Sequence, residues 1–256
     1  MPQAASAPGD QPTSTLFISD LHLDPSRPAV TRVFLDFLAG PARKAAALYI
    51  LGDLFEAWIG DDAIERHHGE IATGLKALST RIPIYFMAGN RDFLLGAEYA
   101  RLAGMERIAE PVLHDFYGVS TLLLHGDILC TDDTEYRAFR AMVHNPAWQH
   151  DFLAKPIEVR RAMAGTARER SGERLRTLAP EIMDVNPEAV AQTFRKQGVR
   201  RVIHGHTHRP AIHQLEVDGI ARERIVLGNW HEQGGSVLWL DANGPRLEAP
   251  PLQAGA

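Results

Sequence analysis

Five apolar runs in this chain each break into metal-capable side chains, and that repeated ending constrains the fold more than any other feature. Leu16-Phe17-Ile18 leads through Ser19 to Asp20 and His22. The run 46–51 leads to Gly52-Asp53, 82–88 to Gly89-Asn90, and Leu122-Leu123-Leu124 to His125. The run 199–203 leads to His204, His206 and His208. Continuous apolar runs of this length read as strands buried on both faces. Polar ligands at their ends then belong to the loops that leave one edge of a sheet.

The segments between the runs supply the helices of an α/β fold. After Pro28, Val30, Phe34, Phe37 and Leu38 fall on one face at three- and four-residue spacing, and Gly40-Pro41 stops the pattern. Strand 14–19, this helix and strand 46–51 make a βαβ unit with both polar ends at one edge. The stretch 57–80 reads as loop and then helix through Ile64, Ile71, Leu75 and Leu78, and a short helix is expected over 95–102. Asn186-Pro187-Glu188 is a helix start, with Asn at the N-cap and Pro in the first turn, and Gly198 is its stop. The short apolar stretches 211–217, 224–227 and 236–240 are expected to form a second sheet.

With 256 residues the chain can bury one substantial core, so one domain over 14–248 is expected, flanked by a disordered tail 1–13 and a short tail 249–256. A helical cap is expected as an insertion over 132–180. Between Glu135 and Arg176 nine Arg or Lys face five Asp or Glu, against a net charge of -5 for the whole chain. The overall acidity argues against a broad nucleic-acid binder. A single cysteine, Cys130, excludes an internal disulfide and suits a reducing compartment. The first thirteen residues lack the basic and apolar regions of a signal peptide. No stretch reaches the roughly 18 to 20 apolar residues of a spanning helix. A cytosolic protein is expected, with a peripheral membrane role left open.

Asp20, His22, Asp53, Asn90, His125, His206 and His208 form a mixed nitrogen and oxygen donor set without thiolate. Such a set suits Mn²⁺, Fe²⁺, Co²⁺ or Zn²⁺. It is larger than one ion needs, and a shared carboxylate can bridge two ions about 3.5 to 4 Å apart, as in phosphoryl hydrolysis. Asp53 is the natural bridge. Spacing leaves 204/206 and 206/208 both open as ligand pairs. His204, still inside the apolar run, is better read as a packed histidine. Arg91 can hold a phosphate oxygen or pair with Asp92 or another acidic neighbour. Asp92, Asp127 and Glu56 are candidate acceptors for imidazole N–H groups. Of the remaining histidines, His231 in Gly228-Asn229-Trp230-His231 is the one to follow.

The series Asp20-Leu-His22, Gly52-Asp53, Gly89-Asn90-Arg91-Asp92, His125-Gly126-Asp127 and Gly205-His206-Thr207-His208 resembles the calcineurin-like metallophosphoesterases. That resemblance implies two mixed sheets flanked by helices. It implies one metal on Asp20, His22, Asp53 and His208, and another on Asp53, Asn90, His125 and His206. The flanking motifs, from Leu51-Gly-Asp-Leu-Phe-Glu-Ala-Trp-Ile-Gly-Asp-Asp62 to His204-Gly-His-Thr-His-Arg-Pro210, are similar to those of the UDP-2,3-diacylglucosamine pyrophosphatases.

This closer resemblance implies a hydrolase carrying two Mn²⁺ bridged by Asp53. Water attack on the α-phosphorus of an anionic, nucleotide-activated glycolipid would give UMP and 2,3-diacylglucosamine 1-phosphate, a step of lipid A synthesis. It further implies a monomer on the cytoplasmic face of the inner membrane, touching it peripherally, with no nucleic-acid partner. Asn90, Arg91 and His206 would be catalytic. Asn90, Arg91, His206, Asp133 and the cap residue Tyr136 would bind substrate. Here Glu173-Arg-Leu-Arg-Thr-Leu-Ala-Pro180 replaces the family's Ser/Asn/Lys-rich tract, with Arg174 and Arg176 in place of its lysines. The competing readings are another dinuclear metallophosphoesterase, such as a phosphoprotein phosphatase or phosphodiesterase, and a non-catalytic metal-dependent interaction module.

Overall fold

The computed structural model describes residues 14–176 and 184–248. The two expected tails, 1–13 and 249–256, and the expected end of the cap, 177–180, lie outside the described residues.

The chain opens as β1 (Thr15–Ile18), α1 (Pro28–Ala39) and β2 (Ala47–Leu51). β1 and β2 pair in parallel, Leu16 with Leu48 and Ile18 with Ile50, so the βαβ reading holds. α2 (Arg66–Ser79) and β3 (Ile84–Met87) repeat the unit. α3 (Ala97–Ala103) ends at Gly104 in the left-handed region, and β4 (Glu106–Arg107) closes that side of the sheet. β5 (Val112–Phe116) and β6 (Val119–Leu123) form a hairpin. Three helices follow: α4 (Thr134–Val143), α5 (Pro146–Leu153) and α6 (Ile157–Leu175). α7 (Pro187–Gln197) starts with the Asn186 side chain accepting from the N–H groups of Glu188 and Ala189, and it stops at Gly198. β7 (Arg201–His204), β8 (Ala211–Val217), β9 (Ile220–Val226), β10 (Val237–Asp241) and β11 (Gly244–Glu248) complete the chain.

The strands form two mixed sheets, β11-β10-β1-β2-β3-β4 and β5-β6-β7-β9-β8. Side chains alternate across each strand, so the apolar runs bury both faces. Phe17, Tyr49, Leu51 and Met87 meet Leu123, Ile203 and Ile225 between the sheets. Leu16, Ile18, Leu48, Ile50 and Phe86 face the other way, with Phe34 of α1 and Leu75 of α2. Leu122 and Val202 pack with Val190 and Phe194 of α7 on the outside of the second sheet. No helix among the described residues is long and apolar enough to cross a membrane.

One expectation fails. The stretch 236–240 does not join the second sheet; β10 lies antiparallel to β1, with Thr15 opposite Leu240. An apolar pattern identifies a strand and its buried faces but not the sheet edge it will pair with. Here the preceding loop carries the chain back past the first loop, where Trp230 N–H donates to Asp20 O at 3.2 Å. Trp230 is fully buried against Phe34 and Phe37, which fixes the return to β1.

Candidate metal centre

β1, β2 and β3 of the first sheet and β6 and β7 of the second carry the ligand loops at their carboxyl ends, and sharp backbone turns there bring the loops together. Asp20, His22, Asp53, His206 and His208 all have positive φ, between 50° and 69°. Non-glycine residues seldom adopt this region, and strain of this kind collects at functional sites. The turns hold one another in place. Asp20 N–H donates to Gly52 O at 3.1 Å, and His22 N–H to Asp53 O at 3.0 Å. Gly205 N–H donates to His125 O at 2.7 Å, and His206 N–H to Asp20 Oδ2 at 2.9 Å. Arg91 N–H donates to Asp53 Oδ1 at 2.8 Å.

The side chains converge as a result. His22 Nε2 lies 3.3 Å from His208 Nε2, and His208 Nε2 lies 3.3 Å from Asp20 Oδ1. Asp53 Oδ2 stands between the two halves, 3.8 Å from His22 Nε2 and 3.7 Å from His125 Nε2. Asn90 Oδ1 is 2.9 Å from His125 Nε2 and 3.0 Å from His206 Nδ1. Asp20, His22 and His208 make one group able to hold an ion, and Asp20, Asp53 and His125 another. This is a dinuclear, Asp-bridged metal-binding site.

The residues fit such ions in charge as well as in geometry. Asp20 is fully buried; burial alone would raise its carboxyl, but His208, His125 and His22 outweigh that and hold it low. Burial likewise opposes the charge of His125, yet Asp53, Asp20, Asp127 and Glu110 raise it to about 10. Burial, with Asp53 beside it, pushes Asp92 up to about 7. A buried cluster so short of positive charge is a cation site by its electrostatics. Asp20 Oδ1 is moreover buried beside His208 Nε2 without a well-formed hydrogen bond, as an oxygen meant for an ion would be.

Cys130 adds no thiolate to this set. It is 3% exposed, and burial together with Asp127, Asp184, Asp133 and Asp132 pushes its thiol up to about 12. Iodoacetamide at pH 8 should therefore label Cys130 far more slowly in the folded protein than in guanidinium chloride. Equal rates by mass spectrometry would contradict this burial.

Packing separates the three histidines of the last run. His204 is fully buried, with Nδ1 2.9 Å from Gly205 O and Nε2 3.3 Å from Arg224 Nη1, while His206 and His208 turn into the cluster. His231 is exposed and bridges to Gly234.

Of the three proposed imidazole acceptors, only Glu56 is one, with Oε2 3.0 Å from His22 Nδ1. Asp92 is not. Its carboxylate accepts from the backbone N–H groups of Gly89 at 2.8 Å, Leu54 at 2.7 Å and Asp53 at 3.3 Å, tying two ligand loops together. Asp127 is not either: Oδ2 accepts from Tyr136 Oη at 2.5 Å and Arg140 Nε at 2.7 Å. The second ring nitrogen of His125 rests on a backbone carbonyl instead, 2.9 Å from Leu51 O.

Arg91 does not pair with Asp92; its guanidinium lies 3.9 Å from Glu56 Oε1. The Tyr136 ring lies 5.9 Å from the His206 ring. Asp133 caps α4, accepting from Tyr136 N–H at 2.8 Å, and receives Arg174 Nη1 at 2.7 Å. Arg174 also reaches Glu135, and Arg176 is exposed. Sequence reasoning missed the cations that seat α4–α6. Arg168 reaches Glu56 at 3.1 Å, and the buried Arg160 donates to Ile59 O at 2.6 Å and pairs with Asp62. A count of basic residues registers such arginines only as charge.

A family model described as calcineurin-like phosphoesterase matches residues 13–210. Over 243 residues the chain is 53% identical to the UDP-2,3-diacylglucosamine hydrolase of Xanthomonas oryzae pv. oryzae, covering 92% of this chain and 98% of that protein. At the same coverage it is 52% identical to the protein of that name from Xanthomonas campestris pv. campestris and 53% identical to that from Stenotrophomonas maltophilia. The two mixed sheets, the dinuclear strand-end site and these similarities agree: the chain belongs to the calcineurin-like phosphoesterases and, within them, to the UDP-2,3-diacylglucosamine hydrolase family.

Proposed function

We propose that the protein is a Mn²⁺-dependent UDP-2,3-diacylglucosamine diphosphatase. It hydrolyses the pyrophosphate bond by water attack at the α-phosphorus, giving UMP and 2,3-diacylglucosamine 1-phosphate for lipid A synthesis. The observation that carries this reading is the identity of about half the residues along nearly the whole of hydrolases so named, combined with the donor set gathered where strands of the two sheets end.

Asp20, His22, Asp53 and His208 hold one ion, and Asp53, Asn90, His125 and His206 the other. When bound, two such ions lower the pKa of water and neutralise charge on the transferring phosphoryl group. Glu56 fixes the ring of His22 through Nδ1, leaving Nε2 for the centre. The Leu51 carbonyl does the same for His125. Arg91, anchored by its own N–H on Asp53, places a planar guanidinium beside the centre to take a phosphate oxygen. Asn90 and His206 line the same half and contact the reacting phosphate. Asp133, Tyr136, Arg174 and Arg176 bind the rest of the headgroup.

Helices α4–α6 act as the cap over the acyl chains. The exposed Phe139, Met142, Leu153, Val159 and Met163, set among arginines, match an anionic acylated substrate. The protein works as a monomer at the cytoplasmic face of the inner membrane, in peripheral contact with it.

Turnover of UDP-2,3-diacylglucosamine with Mn²⁺ in ¹⁸O-labelled water, read by mass spectrometry, tests this. Label is expected in UMP. Label in the lipid phosphate would reverse the point of attack, and no turnover would overturn the substrate.

A further inference from the structure

Glu110 and Arg140 have no role in the reading above, yet they meet directly behind His125. Glu110, just before β5, accepts the backbone N–H of His125 on Oε1 at 2.7 Å. Its Oε2 accepts from Arg140 Nη2 at 3.0 Å. The same guanidinium donates through Nε to Asp127 Oδ2 at 2.7 Å. That oxygen also accepts from Tyr136, one turn earlier on α4. One cation of α4 thus joins the buried Asp127 and the half-buried Glu110, which holds the start of the turn His125-Gly126-Asp127.

The turn between them is closely packed. Gly126 has φ +125°, and a Cβ there would fall 2.8 Å from His204 Nδ1 and 2.9 Å from Gly205 O. His125 is therefore held twice, by its N–H on Glu110 and by Nδ1 at Leu51 O. Only Nε2 is left to face Asn90 and Asp53. Removing Arg140 would leave the buried Asp127 and the half-buried Glu110 without the cation they share, and like charges so placed are relieved by moving apart. The turn carrying His125 is the part that would move.

We propose that Glu110 and Arg140 are positioning residues for the His125 half of the metal centre. They act through the His125 backbone and Asp127, and they fasten α4, with Tyr136, to that half. Metal affinity on this side and the seat of the α4 tyrosine are then set by one ion-pair network centred on the buried Asp127. The metal arm stands on geometry alone; the consequence for substrate rests on the proposed function.

Calorimetric titration of the metal-free, full-length protein with Mn²⁺ tests the idea. Glu110→Ala and Arg140→Ala should each weaken one of two ions by about 10- to 100-fold, the effect expected when a ligand's support is lost. Glu110→Gln, which keeps an acceptor for the His125 N–H, and Arg140→Lys should recover part of the affinity. Arg161→Ala serves as control, because it removes an exposed pair between α6 and Glu65 with no link to His125, and should leave both ions at wild-type affinity. If an alanine variant lacks the wild-type near-UV circular dichroism, the Gln and Lys variants decide. Wild-type affinity for both ions in folded Glu110 and Arg140 variants would overturn the proposal. Failure of the wild type to hydrolyse UDP-2,3-diacylglucosamine would instead strike the functional reading and leave this titration intact.

Discussion

Asp53→Ala is expected to lower kcat/KM by at least about 10³-fold, because the substitution takes a shared donor from both ions at once. Asp53 Oδ2 stands within 3.8 Å of ring nitrogens from His22 and His125, on either side of the site. Asp20, the other carboxylate beside His125, already accepts from Ser19 Oγ and the His206 N–H on Oδ2. Asp92 is already bound to four backbone N–H groups of the ligand loops. The metal-free fold should not suffer in proportion. Asp53 contributes one hydrogen bond to Arg91 N–H, worth about 1 kcal/mol, but it also crowds the buried Asp92 with like charge. The two effects oppose, so melting of the metal-free variant should stay close to wild type while bound metal falls. Metal analysis and steady-state kinetics together check this. A variant that keeps two ions and full turnover would remove Asp53 from the centre.

Gly89→Ala is expected to damage the site almost as severely, although Gly89 touches no substrate in the proposed mechanism. A Cβ at this position would fall 2.5 Å from Asp53 N and closer still to Asp53 Oδ1. The obstacles are backbone and a ligand carboxylate, neither of which can swing aside. Either the loop after β2 or the loop after β3 must shift. A shift of about 1 Å at a reacting centre costs on the order of 10² in rate, and overpacking a closed site costs about 1 to 3 kcal/mol in stability. Gly89→Ala should therefore lose activity by about 10²-fold or more, bind Mn²⁺ weakly and melt at lower temperature than Asp53→Ala. Equal melting temperatures and retained Mn²⁺ affinity would show that the loops can part without cost.

The contrast between these two positions marks how far the site was legible beforehand. Asp53 was readable, because a carboxylate after an apolar run and a glycine is a strand-end signal. The demand at Gly89 was not, because it arises from the Asp53 loop, which arrives 36 residues earlier in the chain. Asp92 shows the same limit. Its residue type suits a metal shell, but burial and the N–H groups of Gly89, Leu54 and Asp53 made it a brace between loops. Glu110 and Arg140 gave no signal, since a Glu before a proline and an Arg on a basic helix are common. β10 reads as a strand from its apolar pattern but pairs in the first sheet rather than the second, because a pattern of burial does not name a partner.

Taken alone, the amino-acid order determined the alternation of strands and helices, the chemical nature of the donors and their order along the chain. It did so because apolar periodicity and residue type are local properties. Only the tertiary structure decided which donors meet. The choice of His206 and His208 over His204, the place of Asp53 between His22 and His125, and the clamp on His125 all depend on loops from separate strands. Those loops turn through left-handed backbone at five ligand positions, where the two-residue rhythm of a strand no longer says where a side chain points.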